Sequence, residues 1–274
     1  MPCFIRVLTP HGLEPVDYIA QSLAEAAQVE PENGIYTVTN TFNITQTLKF
    51  DAHLDRMEDS ARRAGMTFSL DRERLKKTLR TMILEAGYGS VRFRVTVPHD
   101  QPDHFIISLE PFTGISPELI EHGVRVITVP NSARKNAAAK TTDWMHQRTK
   151  IIASMPPGVY DAILRNERDE LLEGLGANFY AIVNGELRTA GEDVLPGIAQ
   201  QIVFEIAPSI LPVRQEAITV SDIPQVQEAF ITSSSRGIVP VVEIDGHSLG
   251  IPGERTRALR AAYADWVQSH LEEL

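Results

Sequence analysis

The chain has 274 residues, 43% of them apolar, and a formal net charge of −10 from 26 basic and 36 acidic side chains. That length suits one large domain or two modest ones, and the acidic balance argues against a general nucleic-acid binder, which needs a concentrated basic surface. The single cysteine, Cys3, excludes an internal disulfide framework and a multi-cysteine zinc site. The sequence shows neither a signal-peptide pattern nor an apolar run long enough to span a bilayer, so a soluble cytoplasmic protein is expected.

Residues 3–8 (CFIRVL) read as a strand, and residues 16–29 as a helix without internal Gly or Pro. After Pro31 and Gly34, Tyr36, Val38, Asn40 and Phe42 alternate with Ile35, Thr37, Thr39 and Thr41. This is the period of a strand, and its threonine face is either a solvated sheet surface or the wall of a polar cleft. A strand over 46–50 leads into DAHLDRMEDSARRAGM, with Asp51 as the expected N-cap and Arg56 beside an apolar stripe of Leu54, Met57, Ala61 and Ala64. Residues 69–86 carry Leu75, Leu79, Met82 and Ile83 at helical spacing, and Gly87 and Gly89 end that helix.

The next strand, SVRFRVTV, puts Arg92 and Arg94 on one face and Val91, Phe93, Val95 and Val97 on the other. Those arginines either face solvent or form an anion-binding cleft, since a guanidinium fork suits carboxylate and phosphate. HFIISLEPF (104–112) is the expected antiparallel partner, and PFTGISPE is a linker. The expected organisation is an N-terminal α+β domain over 1–113, a linker over 114–122 and a C-terminal domain over 123–274. In the second half, 124–129 is a strand and the Lys140 region leads into a helix ending near 154. Two hairpins follow, turning at Asn166–Arg168 and at Asn184-Gly185. Pro196-Gly197 opens a helix, EAFITSSSRGIVPVVEIDG is a strand pair with a hydroxyl-rich turn, and a helix spans 253–273.

The sequence lacks a P-loop, GxGxxG after a strand, HExxH, GxSxG and CxxC. Its eight histidines are scattered, so a multi-histidine metal site has no support. Of six lysines, Lys140 alone follows three alanines, Ala137 to Ala139. It is either a solvated lysine at a helix start or an amine whose less polar surroundings make it a nucleophile. Around it the chain offers parts suited to a phosphate: Arg56, the helix start at Ile198 and Ala199, and the hydroxyls of Thr232 to Ser235. Glu173 adds a carboxylate in the apolar context LLEGLGANF. Each feature alone is ordinary punctuation or surface. Together they suggest a phosphorylated aldehyde cofactor with an electron-accepting ring.

The order HLDRMEDSA, Lys140, EGLGANFYAIVNGELRT, LPGIAQQIV, FITSSSRGIVPV resembles the class IV, or fold type IV, pyridoxal-phosphate enzymes, over about residues 34–262. That family contains branched-chain and D-amino-acid aminotransferases and aminodeoxychorismate lyase. The resemblance implies two domains, a smaller N-terminal α+β domain and a larger C-terminal α/β domain with a barrel-like sheet. It implies pyridoxal 5'-phosphate as cofactor, Lys140 as the Schiff-base lysine and Glu173 at the pyridine nitrogen. Arg56, the amides of Ile198 and Ala199, and the hydroxyls of Ser234 and Ser235 would hold the phosphate. Tyr36, Arg92 and Arg94 would meet the substrate. The implied partners are an amino acid, branched-chain or similar, and a 2-oxo acid such as 2-oxoglutarate, with a homodimer as the assembly. Transamination leads. A lyase of the aminodeoxychorismate type and a non-catalytic protein on the same fold are the alternatives. The chain departs from the pattern at Ala137, Asp143-Trp144, Arg92, Ala199 and Gln200, which leaves substrate and stereochemistry open.

Overall fold

The computed structural model describes all 274 residues. The chain forms two compact units, one of residues 1–113, 139–147 and 270–274, the other of residues 114–138 and 148–269. Lys140 thus belongs to the first unit, not to a C-terminal domain running from 123 to 274.

The first unit contains β1 (Phe4–Thr9), β2 (Gly12–Pro15), α1 (Leu23–Val29), β3 (Gly34–Asn40), β4 (Gln46–Leu48), α2 (Phe50–Arg63), α3 (Arg72–Ala86), β5 (Val91–Pro98) and β6 (Phe105–Pro111). Five strands form one sheet in the order β2-β1-β6-β5-β3, which leaves β3 at an edge. The alternation in β5 sends Val91, Phe93, Val95 and Val97 into one core with Leu54 and Met57 of α2 and Leu75, Leu79 and Met82 of α3. Asp71 caps α3 by accepting the Arg74 N–H at 3.0 Å, and Gly87, at φ 66°, closes it.

Several helix boundaries differ from expectation. The first helix begins at Leu23 rather than Val16, because Ser22 caps it and Ala20 accepts a backbone hydrogen bond from Cys3. The last helix ends at Ser269 rather than 273. The final strand, Leu271–Glu273, instead pairs with β4, and Arg80 holds Glu273 at 2.9 Å. The N-cap of α2 is Lys49, at φ 47°, with Asp51 inside the first turn.

The second unit begins with α4 (Pro117–His122), so the stretch expected as a linker is partly helical. There follow β7 (Val124–Val129), α5 (Thr142–Ser154), whose residues through Gln147 belong to the first unit, β8 (Asp161–Arg165), β9 (Leu171–Gly174), β10 (Asn178–Val183) and β11 (Glu186–Arg188). Then come α6 (Ile198–Ile206), β12 (Val213–Arg214), β13 (Val226–Ser233), β14 (Gly237–Ile244), β15 (His247–Ser248) and α7 (Glu254–Ser269). The order β10-β13-β14-β7-β8-β9 closes on itself where β9 pairs with β10, giving a six-stranded barrel-like sheet. Phe179, Ala181, Ile231, Val239, Val241, Val126 and Ile163 pack together as its core. The Asn184-Gly185 turn has both residues at positive φ, 51° and 77°, as a type I′ hairpin requires.

Candidate active site

In the first unit the Lys140 stretch lies along the free edge of β3. Tyr36 N–H donates to the Lys140 carbonyl at 3.1 Å, Ile35 bridges Thr141, and Thr142 Oγ1 donates to the Gly34 carbonyl. An edge strand has unpaired backbone groups, and here the segment before α5 uses some of them. The Lys140 N–H donates to Ser60 Oγ at 3.0 Å, tying the segment to α2 as well. The backbone of Lys140 is therefore fixed from two sides. Its Nζ lies 4.6 Å from the centroid of the Tyr36 ring, and Ala139 behind it is fully buried. The other lysines are placed differently: Lys76 pairs with Asp51, Lys49 caps α2, and Lys77, Lys135 and Lys150 are exposed.

Helix α2 presents His53, Arg56 and Ser60 as a buried polar stripe among its apolar residues. Burial pushes the Arg56 guanidinium down to about 10, partly offset by Tyr36. His53 sits at Nδ1 2.9 Å from Thr37 Oγ1 and 3.3 Å from Arg56 Nη2. Burial, with the charges of Arg56 and Lys140, holds its imidazole well below the usual range, so it is neutral. The structure thus brings Tyr36, Arg56 and Lys140 together. His53 and Ser60 carry no motif of their own in the sequence, although their spacing from Arg56, three before and four after, marks them as sharing its helix face.

Arg94 is corrected. Its guanidinium is spent on Glu30, donating from Nε at 3.0 Å and from Nη2 at 2.5 Å, and on the Leu23 carbonyl at 2.8 Å. Thr96 and Ser108 add their hydroxyls to the same carboxylate. Arg94 therefore anchors the end of α1 to the sheet and is not presented to a substrate. Arg92 is half-exposed, with Glu110 at 3.5 Å.

In the second unit, Asn178 is the node. It is the cross-strand partner of both Glu173 and Thr232, and its Nδ2 donates to the Leu195 carbonyl at 2.9 Å. Glu173 accepts from Arg134 Nη1 and from the Leu195 N–H, each at 3.1 Å, and both side chains of that ion pair are 6% exposed. Gly197, the N-cap of α6, lies so close to Asn178 Oδ1 that any Cβ would overlap it. With no side chain at the N-cap, the first-turn amides of Ile198 and Ala199 are suited to an anion. Ser234 and Ser235 are half-buried in the turn between β13 and β14, which Arg236 braces through Ser233 Oγ, the Gly176 carbonyl and Asp161. Asn178, Arg134 and Arg236 were not legible as site-building residues, because the contacts to Leu195, Glu173 and Gly176 that place them lie far along the chain.

Each unit by itself carries chemistry that suits a part of pyridoxal phosphate: an amine over an aromatic ring with a buried cation nearby in the first, and a buried carboxylate and a helix start whose N-cap bears no side chain in the second. A five-stranded sheet with an amine at its edge, followed by a six-stranded barrel, is the architecture of a fold type IV enzyme. A family model described as amino-transferase class IV matches residues 34–244, and the chain belongs to that family of transaminases. A relative from Methanocaldococcus jannaschii, provisionally named a branched-chain-amino-acid aminotransferase, is 30% identical over 78% of this chain and 80% of its own. The D-alanine aminotransferase of Staphylococcus aureus is 22% identical over 87% of this chain and 89% of its own. The structure of the branched-chain aminotransferase from the archaeon Thermoproteus uzoniensis, solved with norvaline, shares the fold, with a TM-score of 0.81 at 20% identity over 100% of this chain and 99% of its own. No helix is long and apolar enough to cross a membrane.

Proposed function

We propose that the protein is a pyridoxal-phosphate-dependent aminotransferase that moves an amino group between an amino acid, branched-chain or similar, and a 2-oxo acid. The observation that carries this reading is Lys140, whose backbone is fixed by β3 and Ser60 and whose amine lies over Tyr36. When bound, the cofactor supplies an aldehyde that condenses with amines and a ring that takes up the electrons of the substrate's Cα–H bond. Lys140 Nζ would hold the cofactor's aldehyde at rest, and once released would serve as the base that takes the proton from the substrate's Cα. Arg56 in the first unit would suit the charge of a phosphate, and in the second unit the amides of Ile198 and Ala199 and the hydroxyls of Ser234 and Ser235 would suit it as donors. Glu173 would face the ring nitrogen, its orientation fixed by Arg134 and the Leu195 amide.

Two arginines beside the pocket would suit a lyase of the aminodeoxychorismate type, whose substrate is a dicarboxylate. With Arg94 held by Glu30, one of those two charges is already used, and amino transfer is the better reading. The test is direct. The purified protein given pyridoxal phosphate should show the visible absorbance of a lysine-bound cofactor, and Lys140→Ala should not. A panel of L- and D-amino acids against pyruvate and 2-oxoglutarate should then yield amino transfer. A coloured protein that transfers nothing sinks the transaminase reading, and a colourless one sinks the enzyme. A cytoplasmic homodimer goes with this proposal, and sedimentation would settle the assembly.

A further inference from the structure

His53 has no part in the functional reading above, yet it is fully buried in the polar stripe of α2, one turn from Arg56. Its hydrogen bonds determine its tautomer. Arg56 can only donate, so the Nδ1 that it meets at 3.3 Å must carry a lone pair. The Thr37 hydroxyl at 2.9 Å from the same atom then shares that single lone pair as a second donor, and the ring proton sits on Nε2. A protonated imidazole would turn Nδ1 into a donor facing a donor, beside a second cation and near Lys140. Thr37 is fixed in the ladder opposite Val95, so the ring orientation is set by the sheet and not by the helix alone.

We propose that His53 is a positioning residue for the anion site, a neutral acceptor that aims the Arg56 guanidinium and adds no charge of its own. This rests on the reading of Arg56 as a phosphate-binding residue. A long arginine side chain has several rotatable bonds, and an acceptor at one Nη restricts them before the anion arrives. A carboxylate at position 53 would hold the fork more strongly, but it would cancel the charge that the phosphate needs. An imidazole held as the Nε2–H tautomer gives direction without neutralisation.

The test compares pyridoxal phosphate with pyridoxal, which lacks the phosphate, binding to cofactor-free protein by calorimetry. The ratio of the two affinities isolates the phosphate contribution from general damage to the fold. His53→Leu should lower that ratio about tenfold, the usual size of losing a supporting hydrogen bond at a charged site, and leave pyridoxal within about twofold. His53→Asn, whose Oδ1 stands near the place of Nδ1, should stay within about threefold of the wild type in the ratio. In the wild type, the nitrogen-15 shifts of His53 should report an unprotonated Nδ1. A folded His53→Leu protein with an unchanged ratio overturns the proposal, as does an Asn variant that loses as much as Leu. If the wild type does not distinguish pyridoxal phosphate from pyridoxal, the reading of Arg56 falls and this inference falls with it.

Discussion

Arg94 and Arg56 are both buried in the first unit, 4% and 8% exposed, but the groups fixed beside them differ in charge. Arg94 meets the fully buried carboxylate of Glu30 in a two-pronged pair, and two hydroxyls and a carbonyl complete the network. Arg56 meets the neutral ring of His53, and burial pulls its guanidinium down to about 10. With Nε and Nη2 on Glu30 and Nη1 on the Leu23 carbonyl, the Arg94 guanidinium has its donors taken up inside the fold, which makes it a structural tie. The imidazole beside Arg56 adds no counter-charge of its own. Sequence places Arg94 and Arg92 together on one strand face and leaves open whether they meet solvent or a ligand. The surroundings, not the residue type, tell structure from function.

The sharpest way to break this contrast is Glu30→Ala. It leaves Arg94 buried without its carboxylate and should cost about 3–5 kcal/mol in urea unfolding at neutral pH. Changing both partners, Glu30→Leu with Arg94→Met, should recover most of that loss, because two apolar groups need no counter-charge. A Glu30→Ala loss below about 1 kcal/mol would mean that the pair is not a structural tie.

Gly197→Ala comes next. A Cβ there would overlap Asn178 Oδ1, so either β10 or the start of α6 must shift, at about 1–3 kcal/mol. Asn178→Ala should relieve most of the clash in the double variant, and a double-mutant cycle by thermal unfolding reads the coupling. If the two losses simply add, Asn178 is not what makes glycine necessary.

A third prediction concerns acid. The His53 pKa is lowered in the folded protein from the ordinary 6.5, so below that value the unfolded chain binds a proton that the native state refuses. Stability from this residue is therefore complete above pH 6.5 and is lost as pH falls below it, by up to about 1.4 kcal/mol per pH unit. The difference in stability between the wild type and His53→Asn, followed from pH 7 to pH 5 by denaturant titration, should shrink or reverse as pH falls. A difference that stays level would show a histidine that titrates normally.

The fold was largely legible because it rests on local periodicity. The alternation in VRFRVTV, the stripe from Leu75 to Ile83 and the Asn184-Gly185 turn each report their element through neighbours a few residues away. The end of the chain was not legible. Leu271–Glu273 reads as the tail of a helix, and only the distant strand Gln46–Leu48 makes it a strand. The candidate site divides in the same way. Lys140, Arg56 and Glu173 stand out by type and context. His53 as a neutral acceptor, Arg134 on Glu173 and Asn178 at Gly197 depend on contacts that no local pattern records.

The smallest effect on stability is expected at Arg56 itself. Arg56→Met removes a cation that burial disfavours, replaces it with an apolar chain of similar length and leaves His53 Nδ1 with its Thr37 partner. Unfolding free energy should change by less than about 1 kcal/mol, and a small gain is the favoured direction. Affinity for pyridoxal phosphate should nonetheless fall by tenfold or more, because a charge-assisted bond to phosphate contributes roughly 1.5–3 kcal/mol. Stability and binding would then move apart at Arg56, whereas Glu30→Ala should lose stability without changing the pyridoxal phosphate to pyridoxal ratio. If Arg56→Met unfolds as readily as Glu30→Ala, Arg56 is a structural tie like Arg94, and the anion site must be sought elsewhere on the chain.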